Sequence, residues 1–510
     1  MNIMQAMVAK IQTISLEGIQ ASSVEVEVQI APGLSSFQVV GLPDNAVKES
    51  KDRIRAAFYS CGVALPAKRI TVNLTPAHAH KSGSHYDFAI AVGLLTALKI
   101  VPLDMARQAL YMGELGLDGT LHPVPGVLPA VLHAMQNDIE QVFVPAVNAP
   151  EGAWCEDVAV MPVRNLTEFL SHVSGEAPLQ PLVPQSISTQ DIKIQDNFSD
   201  VKGQYAAKRA MEIAAAGGHN LLMCGPPGSG KSMMASRFPA LLPNMKTEDV
   251  LETSMIHSIA GQLTGGLNLK RPYRSPHHSA SAVALSGGGH KALPGEMSLA
   301  HKGVLFLDEL PEFPRNVLET LRQPLESKEI TVSRANHHVT YPASFQFIAA
   351  MNPCPCGYMG DDTQVCRCSP RQIESYRGKL SGPLMDRIDL HVGVEAVPID
   401  ALTAGSKEEP TETIKARVLR ARHRQEERYK ENGYSCNAEV GAGDVEHYMP
   451  LCQQGLTLLN KAHEKFAVSA RSFHRIVRVA RTIADLEGCD AIGPQHVAES
   501  LGYRYRPYTG

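Results

Sequence analysis

The stretch Cys224-Gly-Pro-Pro-Gly-Ser-Gly-Lys-Ser232 constrains this chain more than any other. From Gly225 to Ser232 it reads G-x-x-x-x-G-K-[ST], a phosphate-binding loop, and that loop needs a strand before it and a helix after it. The setting is right: apolar residues 220–224 predict a buried strand and residues 233–238 a helix start. Gly225, Pro226, Pro227, Gly228, Ser229 and Gly230 should wrap the phosphates, the glycines letting backbone N–H groups converge at a helix N-terminus. Lys231 should reach the β- and γ-phosphates, and the Ser232 hydroxyl should ligate Mg2+. Farther on, Gly303-Val-Leu-Phe-Leu-Asp-Glu-Leu310 predicts a buried strand ending in an acidic pair. This is the Walker-B arrangement, with Asp308 for the metal and Glu309 for the attacking water. A chance glycine turn would lack this second element, so the two together predict hydrolysis of ATP or a similar nucleotide.

At 510 residues the chain should hold more than one domain. Its 48 basic and 52 acidic residues nearly balance. No global cationic field announces nucleic acid, so any such contact must come from local patches. No apolar run has membrane-spanning length, and residues 1–23 lack a basic-then-apolar signal pattern. Six of the ten cysteines are scattered and four are clustered, which suits a reducing compartment. The expectation is a soluble, cytoplasmic protein with no membrane partner.

The fold class expected is α/β, beginning with a mixed domain over residues 1–173. Val24, Val26, Val28 and Ile30 alternate with polar residues as in a half-buried strand, with Phe37, Val39 and Val40 its partner across the Pro32-Gly33 turn. Helices are predicted over 43–60, 87–98 and 166–173, strands over 69–74, 141–145 and 158–163, and a hairpin at Asp118-Gly119. This order, with Lys81-Ser-Gly-Ser-His85 and the run from Gly113 to Gly126, resembles the proteolytic (S5-like) domain of Lon-type proteases. That family uses a Ser–Lys dyad. Here His85 falls where its Ser belongs and Leu128 where its Lys belongs, so acylation lacks both nucleophile and base, although Ser82 and Ser84 lie nearby. His78, His80, Lys81 and His85 form a cationic-leaning cluster that either touches an anion or is left over from a lost active site. A binding or assembly module is expected, not a protease.

Residues 174–195, with Pro178, Pro181 and Pro184, read as a linker. An ATPase core should follow over 196–394, and a C-terminal helical region over 395–510. In ATPases of the AAA+ class the segment before the phosphate loop frames the adenine, so that resemblance makes Val201 and Gly203 candidate base contacts. Between the Walker elements lie Ser275-Pro-His-His-Ser-Ala-Ser281 and Pro294-Gly-Glu-Met-Ser-Leu-Ala-His301, an insertion longer than a plain connection needs. Residues 329–341 read as a hairpin with a basic tip. Its Arg334, His337 and His338 either meet a phosphate backbone or form a solvated polar turn. The next strand, 345–350, delivers Asn352 to a position where a polar group can bond the γ-phosphate or its water.

These motifs, with Met351-Asn-Pro-Cys-Pro-Cys-Gly357, resemble the ComM/YifB family of bacterial AAA+ proteins, related to the I subunit of magnesium chelatase. The resemblance spans essentially the whole chain. It implies a homo-hexameric ring with ATP and Mg2+, and a DNA helicase promoting branch migration in homologous recombination during natural transformation, working with recombination proteins. The alternative is a magnesium-chelatase-like or chaperone-like ATPase remodelling a protein partner. Family pattern makes Arg387, in Leu384-Met-Asp-Arg-Ile-Asp-Leu390, the arginine finger. It makes Arg471 the sensor-2 residue touching phosphates within its own subunit, with Arg475 the alternative. The helical region would then be a lid. Its Arg417, Arg420, Arg424 and Arg428 fall near one helix face, read as a solvated face. Finally, Cys354, Cys356, Cys366 and Cys368, in an insertion over 354–368, can close a tetrahedral zinc site or stand as free thiols. Arg367, Arg371 and Arg377 beside them suit a phosphate backbone.

Overall fold

The computed structural model describes residues 8–78, 81–184, 197–263, 265–289, 292–334, 337–360, 364–396, 408–466 and 470–504, the side chains of 333, 334, 337, 338, 465, 466 and 470 excepted. His80 and the linker residues 185–195 therefore lie outside the described residues.

The N-terminal domain is built on a seven-stranded sheet. Its strands are β1 (Val8–Glu17), β2 (Gln20–Ala31), β3 (Ser36–Val40), β4 (Arg69–Thr75), β5 (Ala109–Tyr111), β8 (Gln141–Pro145) and β9 (Ala159–Val163), in the order β3-β4-β2-β1-β5-β8-β9. A small hairpin, β6 (Glu114–Leu115) and β7 (Leu121–His122), stands apart from it. One strand was not anticipated, and one expected pairing changes. The segment before residue 18 is a full strand, paired residue for residue with β2 from Val8↔Gln29 to Glu17↔Gln20. The 36–40 strand does not pair with β2: β4 lies between them, antiparallel to β2 and parallel to β3. Helix Tyr86–Ala97 is buried on all sides, against β1 and β2 and beside helix Asn45–Ser60. Among its contacts are edge-on rings of Phe88 with Tyr111 and Phe169.

The core holds a five-stranded parallel sheet of β10 (Leu221–Cys224), β11 (Tyr273–Arg274), β14 (Val304–Leu307), β17 (Gln346–Met351) and β18 (Leu390–Gly393), in the order β11-β14-β17-β10-β18. Between these come two antiparallel pairs, β12 (Gly287–Gly288) with β13 (Leu293–Pro294), and β15 (Glu329–Arg334) with β16 (His337–Pro342). Strands β14 and β17 are buried from end to end and, apart from Gln346, apolar, as a sheet covered on both faces requires. Leu221, Met223, Phe306 and Ile348 face one core cluster, while Leu222, Leu305, Leu307 and Phe347 face the other.

The C-terminal region is helical, with Ile476, Val477 and Ala480 of helix Ala470–Glu487 inward. Its position departs from that of a lid. Helices Thr411–Arg428 and Ala470–Glu487 pack on helix Tyr205–Gly217 and the residues leading into β10. Gln425 donates to Ala216 O, and His219 meets Thr482 at 2.8 Å. These contacts lie at the amino edge of the sheet, behind the core, whereas the phosphate loop leaves the carboxyl edge. Arg417 and Arg428 are anchors and not a solvated face: Arg417 pairs with Glu212 and Glu409, and Arg428 with Asp485 at 2.5 Å.

Candidate active site and cysteine centre

The carboxyl edge of the core sheet gathers residues from three strands. β10 runs into the phosphate loop, where Gly228 and Gly230 adopt φ of +75° and +89°, a backbone that side chains disfavour. At Gly225 a Cβ would stand 2.0 Å from Val394 O, so close approach demands glycine. Lys231 Nζ donates to the carbonyls of Gly225 (2.8 Å) and Pro226 (2.7 Å), and lies 3.3 Å from Ser229 Oγ and 3.4 Å from Asn352 Oδ1. Burial pushes the ammonium pKa down, against the pull of Asp308. From the end of β14, Asp308 accepts the Ser232 hydroxyl at 2.5 Å. A hydroxyl beside a carboxylate is an oxygen pair suited to a hard cation such as Mg2+. Lys231, Ser232, Asp308 and Asn352 thus converge.

Glu309 sits next to them at φ +51°, and its carboxylate meets a residue absent from the sequence-based candidates: His278, with Nδ1 3.1 Å from Oε2. Strand pairing, not a sequence signal, brings it there. β11 pairs with β14 in parallel, Arg274 opposite Leu305, so the loop leaving β11 must emerge beside the Walker-B acids. Before helix Tyr205–Gly217, Val201 is buried, and the Gly203 N–H donates to Glu408 Oε1 at 2.9 Å. Glu408 also pairs with Lys208 at 2.6 Å.

The two remaining arginines are elsewhere. Asn220, just before β10, donates to Arg387 O at 2.8 Å, which fixes Arg387 at the amino edge of the sheet. The four residues of β10 put about 13 Å of extended chain between that edge and the phosphate loop. Arg387 pairs with Glu326, and Arg471 pairs with the same carboxylate at 3.0 Å. Arg471 therefore stands beside Arg387, not over its own phosphate loop, because the helix carrying it packs behind the core. Arg475 donates to Ile388 O (2.7 Å) and Met385 O (3.2 Å), holding the segment that carries Arg387.

Directly after β17 and Asn352, the four cysteines close on one point, their sulfurs all within 4.8 Å of one another. Cys354 lies 3.3 Å from Cys356 and 3.6 Å from Cys366, which is itself 3.6 Å from Cys356. Zinc–thiolate bonds of about 2.3 Å in a tetrahedron set sulfurs about 3.8 Å apart, so the cluster fits that ion. Backbone N–H groups of Tyr358 and Arg367 draw the Cys356 thiol down to about 6. The knuckle touches the phosphate loop: a Cβ on Gly357 would lie 2.5 Å from Pro227 Cδ. Arg377 is not part of an open basic patch, since it donates to Pro353 O (3.0 Å) and Met359 Sδ (3.3 Å); Arg367 and Arg371 are exposed.

The 329–342 hairpin forms in register, with Arg334 opposite His337 and Ser333 opposite His338. The side chains of Arg334, His337 and His338 lie outside the described residues. In the N-terminal domain His85 is buried with Nε2 3.0 Å from Ile14 O, and Ser84 donates to Glu114. Lys81 is buried as well, donating to Pro76 O, and so adds nothing to an exposed anion contact. Leu128 is buried at a joint with the core, its N–H 3.2 Å from Glu151 Oε2 and 3.4 Å from Ser258 Oγ.

Comparison with known families matches three consecutive models: "Subunit ChlI of Mg-chelatase" over residues 26–148, "Magnesium chelatase, subunit ChlI" over 197–402, and "Magnesium chelatase, subunit ChlI C-terminal" over 408–504. The competence protein ComM of Haemophilus influenzae is 42% identical over 494 residues, covering 96% of this chain and 95% of its own. The YifB protein of Escherichia coli is 40% identical over 490 residues, covering 96% and 95%. The magnesium-chelatase 67 kDa subunit of Chlorobaculum parvum is 26% identical over 160 residues, 31% of this chain and 23% of its own.

Proposed function

The chain belongs to the ComM/YifB family of magnesium-chelatase-like ATPases, and from that premise we propose that it is a hexameric, ATP-driven motor on single-stranded or branched DNA. Its work is branch migration in homologous recombination during natural transformation; one of its relatives is a competence protein by name. The observation that carries the motor reading is the distance between Arg387 and its own phosphate loop. An arginine at the amino edge serves a nucleotide only if a second copy brings that nucleotide to it, and a ring supplies such a copy at every position. Arg471, on the same Glu326, acts on the same neighbour's phosphates.

In this reading Lys231 leaves the carbonyls of Gly225 and Pro226 for the β- and γ-phosphates. Ser232 and Asp308 would hold Mg2+, which would offset the charge that develops on the transferred phosphoryl group. Asn352 bonds the γ-phosphate or its water, and Val201 and the Gly203 segment flank the base. Glu309 orients the attacking water once His278 lets it go. Two elements join this chemistry to DNA. The hairpin with Arg334, His337 and His338 leads straight into β17 and Asn352, and the 275–281 loop carries His278. Strand contact at either is therefore felt among the catalytic groups. Cys354, Cys356, Cys366 and Cys368 would hold zinc, and the closed cluster would keep the end of β17 against the phosphate loop. The N-terminal domain is a Lon-like fold without its dyad, serving as an assembly or binding module.

The test is ATP-dependent resolution of a synthetic three- or four-way DNA junction by the purified protein at low salt, where phosphate contacts are strongest. Junction movement, and ATPase activity that rises with single-stranded or forked DNA, are expected. A protein that assembles and hydrolyses ATP but neither binds DNA nor moves a junction would be a chelatase-like or chaperone-like remodeller instead.

A further inference from the structure

Behind the core, at the amino edge of the sheet, a cleft of about 520 Å³ opens between the strand starts and helix Thr411–Arg428. Its floor includes Gly218, Gly303 and Gln346, the residues just before or at the start of β10, β14 and β17. Five cations line it, namely Lys246, Arg271, Lys302, Lys328 and Arg422, against three acids, Asp249, Glu426 and Glu439.

Every one of those acids is engaged. Asp249 pairs with Lys302 at 3.0 Å and Glu426 with Lys246 at 3.1 Å. Glu439 accepts the N–H and hydroxyl of Ser435 at 2.9 and 2.6 Å. Arg271, Lys328 and Arg422 are left over, and among the described residues none of the three has a carboxylate within ion-pair distance. Both arginines donate to carbonyls, and Arg422 also meets the Cys436 thiol. Arg271 donates to Pro243 O (2.6 Å) and Lys302 O, and Arg422 to Ala215 O (2.8 and 3.1 Å) and Ser435 O (3.5 Å).

A guanidinium has five N–H donors, so each keeps donors that the carbonyls do not use. Carbonyls fix direction without neutralising charge. Two guanidinium groups this close repel: burial and the charge of Arg422 push Arg271 down to about 10. Lys415, next to them on Asn244 Oδ1 at 3.0 Å, is pushed down by burial and by Arg271 in turn. Fixed, partly desolvated cations with no carboxylate in ion-pair contact are what an oxyanion with several acceptor atoms would relieve, and guanidinium forks match phosphate oxygens in pairs. The cleft's size is that of small-ligand sites, and Leu242, Phe345 and Leu419 give it apolar wall.

The geometry points to a second phosphate-binding site, separate from the nucleotide loop, in which Arg271, Arg422 and Lys328 hold the phosphoryl group of a nucleotide-sized ligand. That group can come from a free phosphorylated metabolite or from a nucleic-acid backbone. The inference is independent of the motor reading.

Its test uses the full chain carrying Lys231→Ala, which disables the phosphate loop, titrated calorimetrically with inorganic pyrophosphate. One binding site per chain is expected. Adding Lys328→Gln, whose ammonium has no ion pair among the described residues, should weaken binding about tenfold, and adding Arg422→Gln as well about a hundredfold. Circular dichroism of each variant checks folding, and the Lys328→Gln arm decides if Arg422→Gln misfolds. Competition by a single-stranded oligonucleotide assigns the group to a nucleic-acid backbone; insensitivity to it assigns a free metabolite. If Lys231→Ala binds no pyrophosphate, or binds it equally well with Lys328→Gln in place, the site does not exist.

Discussion

At the carboxyl edge of the sheet, Glu309 is held by His278 at 3.1 Å, while Ser232 and Asp308 hold each other at 2.5 Å. In the proposed mechanism those two pairs separate metal binding from water activation. Glu309→Gln should therefore keep Mg·ATP bound, because Ser232 and Asp308 remain, yet lose hydrolysis by about 10²- to 10⁴-fold. Filter binding against phosphate release measures both, and turnover within tenfold of wild type would remove Glu309 from its role. His278→Ala addresses the other pair. Without its imidazole the carboxylate is no longer held off, so DNA-free ATPase should rise severalfold and the ratio of stimulated to basal activity should fall. An unchanged ratio would make the pair a surface contact with no part in control.

The element that most tightly constrains the site is the cysteine insertion. It starts two residues after Asn352, and its Gly357 abuts Pro227 of the phosphate loop, so the cysteine knuckle and the phosphate loop share a wall. Protein purified without added zinc should carry about one zinc per chain, and Cys354→Ser with Cys356→Ser should release it. Contact predicts more than metal loss. At Gly357→Ala the new methyl would lie 2.5 Å from Pro227 Cδ, an overpacking of about 1–3 kcal/mol that the loop must absorb. Gly360→Ala has the same kind of backbone, φ +77° against +86°, but nothing within 4 Å. Fluorescent-nucleotide affinity should fall in the first variant and hold in the second; equal effects would show backbone strain acting alone.

On the scale of the molecule, two joints matter. The first lies between copies. If Arg387 serves a neighbour, ATPase activity should rise more steeply than protein concentration below the assembly range. Arg387→Ala should bind ATP but turn it over poorly, and mixing it with Lys231→Ala should partly restore hydrolysis. Full activity of Arg387→Ala alone would refute the ring mechanism. The second joint ties the N-terminal domain to the core, where buried Glu151 accepts from Ser258, from Leu128 N at 3.2 Å and from Asn148 at 2.7 Å. Burial raises its carboxyl above the ordinary range, partly opposed by the bonds from Ser258 and Asn148. A raised pKa in the folded state means the folded chain binds the proton more tightly. Its stabilisation is complete below the ordinary value near 4.5 and is lost as pH rises through the raised one. Glu151→Gln cannot ionise, so its melting temperature relative to wild type should climb across that window and then level off. A constant difference would show that folding does not raise the Glu151 pKa.

What the sequence determined by itself was everything held within a short run of chain. The phosphate loop, the strand ending in Asp308 and Glu309, the buried helix near 87–98 and the four cysteines were all legible. In each case adjacent residues carry both the local conformation and the chemistry. Tertiary structure alone decided the pairings between distant segments. Strand β4 entered between β2 and β3 because sheet neighbours are chosen by hydrogen-bond register and burial, not by order along the chain. Helix Ala470–Glu487 has the apolar stripe of a lid helix, but a stripe says only that a face is buried, not against what. Packed behind the core, it moved Arg471 from its own phosphates to Glu326 beside Arg387. Likewise His278 meets Glu309 only because β11 lies parallel to β14, a neighbourhood that two residues of strand pairing create.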